Sequence, residues 1–367
     1  MFLPRIKRAH QPVRYGEDRI RIGGVVHDIA ADVEDPDGWV WALLEALDGS
    51  RRVDQVVANL VHRFPAHPEQ EVREVIDQLI QRGHIENAAE PAPESLTPAE
   101  RERYSRNREL LWWMDSRPRR SSWDTQLALR RARVTVVGMG GVGCTAALAL
   151  TLSGVGHVHC VDHDVVELSN LPRQILYTEV DVGHPKIDAA VRRLRQHNSG
   201  VSVTGEQLVI TGPAMVRRLA MRCDVLLLAA DRPVEIRGWA NQACHATGTA
   251  WVHGGYHGPQ VNVGLYRPGV GPCYDCGQTA RREYLATLPP LTSWPPEGAR
   301  TGPAATNAVT AGIAGHLTAH ATMSLITGVP ALRTNGEYGL NLVTLEDIHR
   351  IGLDAPRPDC RTCGGPD

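Results

Sequence analysis

The chain has 367 residues, a formal net charge of −2 and 42% hydrophobic residues. That length holds two or three domains with buried cores, and the near-neutral charge speaks against nucleic acid or an anionic membrane surface as a general partner. No apolar run is long enough to cross a bilayer, and the N-terminal MFLPRIKRAH lacks a signal-peptide core, so a cytoplasmic protein is expected.

The N-terminal stretch reads as a small domain over residues 1–88. Arg19 to Ile29 alternates around Gly23-Gly24, which predicts a hairpin with a primed turn. Three amphipathic helical patterns follow. Trp39, Leu43, Leu44 and Leu47 line the first; Val53, Val56, Val57, Leu60 and Val61 the second; Val72, Val75, Ile76, Leu79 and Ile80 the third. Asp48-Gly49 and Arg82-Gly83 stop the first and third. Strands followed by three helices make a winged helix. Its helices carry few basic residues in a row, which disfavours DNA and leaves a peptide ligand or a purely interdomain role. The segments LDGSRRVDQVVANLVHRF and EVIDQLIQRGHIE resemble the PqqD-like peptide-recognition fold. That resemblance implies a domain that holds the leader of a ribosomally made precursor peptide, added as a strand to an exposed sheet edge.

A Pro-, Ala- and Glu-rich linker occupies residues 89–100. A basic helical segment, Arg101 to Asn107, leads into the larger part of the chain. There the run Val134–Val137 predicts a buried strand, followed by Gly138, Gly140, Gly141 and Gly143 and an apolar helix from Cys144 to Leu152. A second strand, His157–Val161, ends in Asp162. Glycines let backbone N–H groups approach a phosphate, the helix N-terminus adds positive potential, and Asp162 can bond a ribose hydroxyl at the usual spacing of roughly 20 positions. Taken alone, the pattern fits a dinucleotide oxidoreductase as well. Cys223 to Asp231 reads as another buried strand ending in an acid, followed by a helical stretch from Glu235 to Thr247 that contains Cys244. Of the eight cysteines, Cys273, Cys276, Cys360 and Cys363 form two CxxC pairs, the donor set of a closed tetrahedral zinc site. Gln278 to Pro303 is expected to be a proline-rich loop and contains no cysteine. A helix from Ala304 to Gly328 and a strand from Asn341 to Leu345 complete the pattern.

The residues after Asp162 narrow the chemistry. Asp162-His-Asp164, Ser169-Asn170-Leu-Pro-Arg173-Gln174 and Pro185-Lys186 follow the glycine turn in order. Together they resemble the ThiF/MoeB superfamily of adenylating enzymes, relatives of the ubiquitin-activating enzymes, over residues 101–367. The resemblance implies a mostly parallel, Rossmann-like α/β sheet with a structural zinc site, behind the winged helix. It implies transfer of AMP from ATP to a carboxylate. Asn170, Arg173 and Gln174 would face the triphosphate, Lys186 would bond phosphate oxygens, and Asp231 would bind magnesium, although Ala230 and Arg232 depart from the family's flanking residues. Arg106 would reach across a homodimer to the partner's ATP, with Asn107 in place of the family's glutamine. The small residues of the helix after Ala304 would pack closely across that dimer. Members that form a thioester place a cysteine in the crossover loop, so none is expected here. The pairing of a peptide clamp with an adenylating core resembles peptide-modifying ThiF-like enzymes of the microcin C type. Activation of a sulfur-carrier protein and a non-catalytic leader-binding scaffold remain alternatives; the basic and acidic site residues argue against the scaffold, and the Asn170-to-Gln174 and Lys186 motifs against an oxidoreductase.

Overall fold

The computed structural model describes residues 1–24, 26–290, 305–346 and 348–364. They fall into two compact units, Met1–Leu127 and Ala128–Asp367.

The first unit starts with β1 (Pro4–Ile6), β2 (Val13–Tyr15), β3 (Arg19–Ile22) and β4 (Ala31–Glu34), then α1 (Trp39–Ala46), α2 (Val53–Arg63), α3 (Glu69–Gln81) and β5 (Ile85–Asn87). Strands β2, β3 and β4 form one antiparallel sheet, and β1 pairs with β5. Alternation in β3 buries Ile20 and Ile22 against Leu43, Leu47, Val56 and Ile76 from the three helices. Each such fully buried side chain contributes roughly 1.5–3 kcal/mol. The expected tight hairpin at Gly23-Gly24 is not what forms. β3 pairs with β4 in the register Ile22↔Ala31, so Gly23 to Ala30 is the connection rather than turn plus strand. The chain folds back on itself there: a Cβ on Gly23 would lie 2.5 Å from the Ile29 carbonyl oxygen, and Ala30 N–H donates to Val26 O at 2.9 Å. Beyond β5 come α4 (Pro98–Arg103), capped by the Thr97 hydroxyl, and α5 (Ser105–Met114), with a break at Tyr104 where Leu96, Tyr104 and Trp123 bury one another. Arg106 is exposed on α5. The Lys7 ammonium is buried and donates to the carbonyls of Trp112 and Asp115, at 2.9 and 2.8 Å. Helix α6 (Asp124–Arg131) runs through the point of division between the units.

The second unit is an eight-stranded sheet. Strands β6 (Arg133–Val137), β7 (His157–Asp162), β8 (Ser202–Gln207), β9 (Val225–Leu228) and β10 (Ala250–His257) are parallel, in the spatial order β8-β7-β6-β9-β10. Strands β11 (Gln260–Tyr266), β12 (Gly336–Asn341) and β13 (His349–Ile351) extend it antiparallel. Between them lie α7 (Gly141–Leu152), α8 (Lys186–His197), α9 (Pro213–Ala220), α10 (Ile236–Thr247), α11 (Tyr274–Ala286) and α12 (Ala308–Thr327). Apolar runs such as Val225–Leu228 are buried on both faces, as parallel strands covered by helices must be. Leu226 and Leu228 pack with Val216, Leu219, Ile236 and Ala240 of α9 and α10. Gly315 of α12 lets that helix meet α7, since a Cβ there would sit 2.8 Å from the Val142 carbonyl oxygen. Chain order reverses between β6 and β9, the switch point where α/β sheets open a crevice at their carboxyl ends.

Two expectations shift here. The strand predicted from Asn341 ends there instead: the Asn341 side chain accepts from Val343 N–H at 2.9 Å and turns the chain. The loop predicted from Gln278 begins as helix α11, because no Pro or Gly interrupts the chain until Pro289. Residues 291–304, including Trp294-Pro295-Pro296, Gly298 and Ala304, lie outside the described residues.

Candidate functional site

A cavity of about 660 Å³ opens at the carboxyl ends of β7, β6, β9 and β10. Gly138, Gly140, Gly141, Asp162, Asp164, Arg173, Gln174, Lys186, Asp231, Arg232 and Arg237 are among its lining residues, as are Leu208 to Ile210 and Gly254 to Tyr256. The glycine turn is built by close packing. Gly138 has φ +94°, and a Cβ there would lie 2.7 Å from Ala230 N. Gly143 does not line the cavity. It sits inside α7, where a Cβ would fall 1.8 Å from the Gly138 carbonyl oxygen, so it lets helix meet strand.

Asp162 holds the turn in shape. One carboxylate oxygen accepts from Met139 N–H at 2.6 Å, the other from Asp164 N–H at 2.8 Å. The Tyr177 hydroxyl donates to Met139 O at 2.9 Å and closes the turn from behind. Lys186 is 7% exposed at its side chain, and its ammonium lies 2.9 Å from the Asp164 carboxylate. Arg173 donates to Ser169 O at 2.7 Å. Gln174 is buried, and its Oε1 has no hydrogen-bond partner among the described residues, an orphan in the cavity wall that a bound group would satisfy. Asn170 does not line the cavity; its side chain accepts from Glu167 N–H at 3.1 Å and shapes the turn that carries Arg173. Asp231 is exposed beyond the end of β9, in a short segment before α10. The lining sets Arg173, Lys186, Arg232 and Arg237 against Asp162, Asp164 and Asp231. The N-terminus of α7 adds positive potential, so the cavity is suited to a polyanion with a hydroxylated moiety at the Asp162 end. Arg237 and Tyr256 were not singled out by sequence; the only hint is that Arg237 opens a helix just after a strand-end acid.

The four CxxC cysteines meet at one point. Sγ separations are 3.9 Å for Cys273–Cys276, 3.6 Å for Cys273–Cys360 and 3.3 Å for Cys276–Cys363. Tetrahedral zinc with Zn–S near 2.3 Å places sulfurs about 3.8 Å apart, so the donor set fits zinc. A second layer supports it: Asn241 donates to Cys273 Sγ and Arg357 N–H to Cys276 Sγ, both at 3.4 Å. Burial pushes the Cys273 thiol up to about 11; at Cys360 burial is outweighed by the N–H groups of Cys363 and Thr362, which hold the thiol at about 7. Cys144, Cys160 and Cys244 are buried apolar fillers whose thiols burial raises. No cysteine lines the cavity among the described residues.

Residues 114–362 match the ThiF family, and residues 37–85 match the family of coenzyme PQQ synthesis protein D (PqqD). The adenylyltransferase and sulfurtransferase MOCS3 of Sus scrofa is 33% identical over 243 residues, covering 65% of this chain and 50% of that protein. The molybdopterin-synthase adenylyltransferase of Escherichia coli is 35% identical over 157 residues, 42% of this chain and 61% of that one. The chain thus spans about half the length of the first of these curated relatives. Among solved structures, MccB of E. coli superposes with a TM-score of 0.79 at 23% identity, over 99% of this chain and 97% of MccB. At that identity the likeness is one of fold. No helix among the described residues is long and apolar enough to cross a membrane.

Proposed function

The chain belongs to the ThiF family, and we propose that it adenylates a carboxylate of a ribosomally made precursor peptide in the cytoplasm, at the expense of ATP. The observation that carries this reading is the cavity itself: a glycine turn, a ribose-side acid and two cations converge at the switch point of the sheet. The adenosine ribose lies against Asp162, and the α-phosphate faces the turn and the N-terminus of α7. Arg173 and Lys186 neutralise the charge that builds on the phosphate oxygens as the substrate carboxylate attacks. Lys186 exchanges its bond to Asp164 for one to phosphate, and Gln174 offers its side-chain amide. Asp231, which lines the cavity, would hold magnesium, which when bound supplies charge neutralisation for pyrophosphate. Zinc at the four cysteines supplies only structure. With no cysteine in the described wall, the acyl adenylate is attacked by a group of the substrate rather than by an enzyme thiol. Residues 1–88 hold the leader, and Arg106 serves the partner's cavity in a homodimer. The PqqD match and the structures of MccB with N-formylated MccA support the peptide substrate.

The curated relatives favour a second reading, activation of a small sulfur-carrier protein. It predicts turnover that does not depend on residues 1–88. The first test is calorimetric ATP binding, with magnesium, to wild type and to Lys186→Ala. Binding by wild type and its loss in the variant is the expected result. No binding to either protein would leave a leader-binding scaffold with a vestigial pocket.

A further inference from the structure

The cavity is longer than its nucleotide-like end. From β7 to β10 it crosses three inter-strand spacings, roughly 14 Å. Asp162, the glycine turn, Arg173 and Lys186 account for the β7 and β6 ends. At the β10 end the wall is Gly254, Gly255 and Tyr256, and the cation that faces them is Arg237, in the first turn of α10. Its Nε is buried with no hydrogen-bond partner among the described residues. A Cβ on Gly255 would come within 3.4 Å of its Nη2, so the glycine keeps that side of the guanidinium open. The Tyr274 hydroxyl and the Glu337 carboxylate approach it from α11 and β12. Glu337 is in turn tied to His253 at 3.4 Å. One turn further along α10, Asn241 bonds Cys273 Sγ and Tyr274 N–H, so the helix that carries Arg237 is fastened to the cysteine cluster. This is a held cation with an unused buried donor, in the wall of the cavity at the end that the nucleotide does not explain.

Resting on the adenylation reading, we propose that Arg237, with Tyr256 and the Gly254–Gly255 backbone, forms the subsite for the substrate's carboxylate. A guanidinium fork matches a carboxylate with two parallel hydrogen bonds, and it keeps that carboxylate ionised. The step then balances without proton transfer. A carboxylate oxygen forms a bond to the α-phosphorus, the bond from that phosphorus to the α,β-bridging oxygen breaks, and pyrophosphate leaves with the electron pair. Both bonds orient the carboxylate; the one to the attacking oxygen is given up as that oxygen bonds to phosphorus, and the other stays on what becomes the carbonyl oxygen.

The test uses the full chain, saturated with a non-hydrolysable ATP analogue and magnesium, and two probes: N-acetyl-dialanine with a free carboxylate and its C-terminal amide. Binding is followed by NMR titration. Wild type is expected to prefer the carboxylate by about tenfold or more. Arg237→Gln should lose that preference while its affinity for the analogue stays within twofold, and Arg237→Lys, which keeps charge but not the fork, should retain part of it. No preference in wild type overturns the proposal, as does a preference that survives in Arg237→Gln. A tenfold loss of analogue affinity in Arg237→Gln would make Arg237 a phosphate ligand instead. Failure of wild type to bind the analogue at all would bring down the adenylation reading itself. A thermal melt checks folding; if Arg237→Gln does not fold, Arg237→Lys must show a smaller preference than wild type, and an undiminished preference there overturns the proposal.

Discussion

Gly140 stands just before α7 and Gly143 inside its first turn, and a methyl group on each meets a different fate. At Gly143 the Cβ would fall 1.8 Å from a backbone carbonyl oxygen of Gly138, which cannot move aside without parting α7 from β6. At Gly140 the nearest neighbour is the Gln174 side-chain amide at 3.9 Å, in the cavity wall. Gly143→Ala should therefore cost the fold about 3 kcal/mol or more. Gly140→Ala should fold with stability within about 1 kcal/mol of wild type, but bind ATP at least tenfold more weakly, because the methyl group stands where a phosphate must approach the backbone. Denaturant melts and calorimetry on the two variants separate these effects, and equal behaviour would contradict the division of labour. The spacing of the glycines was legible because only glycine tolerates such approach. What spacing could not reveal is which glycine packs and which lines the cavity. Nor could it reveal Arg237, since an arginine opening a helix reads as a solvated charge until β10 and β12 are placed beside it.

At the scale of elements, the cysteine pairs were the plainest signal, since two CxxC pairs need only converge to make a tetrahedral set. Their convergence pins the last described residues to α11, helped by Thr362 on Asp275 and Arg357 on Glu283. The purified protein should carry about one zinc per chain. Chelation or Cys360→Ser should release it, free the segment after β13 to proteolysis, and lower the melting temperature by roughly 6–12 °C for a loss of about 3 kcal/mol. A metal content near zero in untreated protein would sink the assignment. Elements set by local pattern, such as α2, α3 and α10, read correctly because amphipathic period and stop residues agree. Elements set by distant partners did not. The Gly23-Gly24 pair looked like a two-residue turn, but β4 begins only at Ala31, where the register with β3 keeps Ile20 and Ile22 in the core. Strand β12 lies before the apolar pattern that suggests it, because Gly336 and Gly339 have low β-propensity and only pairing with β11 makes that segment a strand.

At the scale of the molecule, two units with separate hydrophobic cores are expected to unfold in two transitions. Acid acts on both, since burial also lowers His157, His159 and His320 of the second, but it acts on the first through one histidine pair. In the first unit His10 and His84 meet ring to ring, with Nδ1 atoms 3.1 Å apart, near the buried ammonium of Lys7. Burial, then the neighbouring His10 and Lys7, lowers the His84 imidazole to about 4; burial also lowers that of His10. Both groups are therefore neutral in the fold at pH values where an unfolded histidine, titrating near 6.5, has begun to take up a proton. The stability they confer is complete above about pH 6.5 and is lost as pH falls towards 4, on the order of 3 kcal/mol for His84. Glu86 and Asp115, the nearby acids, act the other way on Lys7, whose own depressed titration near 8 lies outside this window. The cavity is lined by the second unit, so in the adenylation reading ATP stabilises mainly that unit by mass action, Arg106 being the one contact from a first unit. Differential scanning calorimetry between pH 7.5 and 4.5, with and without ATP and magnesium, should show one transition that moves down with acid and ignores ATP, and another that rises with ATP. His84→Gln should flatten the acid dependence of the first. A single transition that responds to both acid and ATP would mean that the two cores melt as one cooperative body.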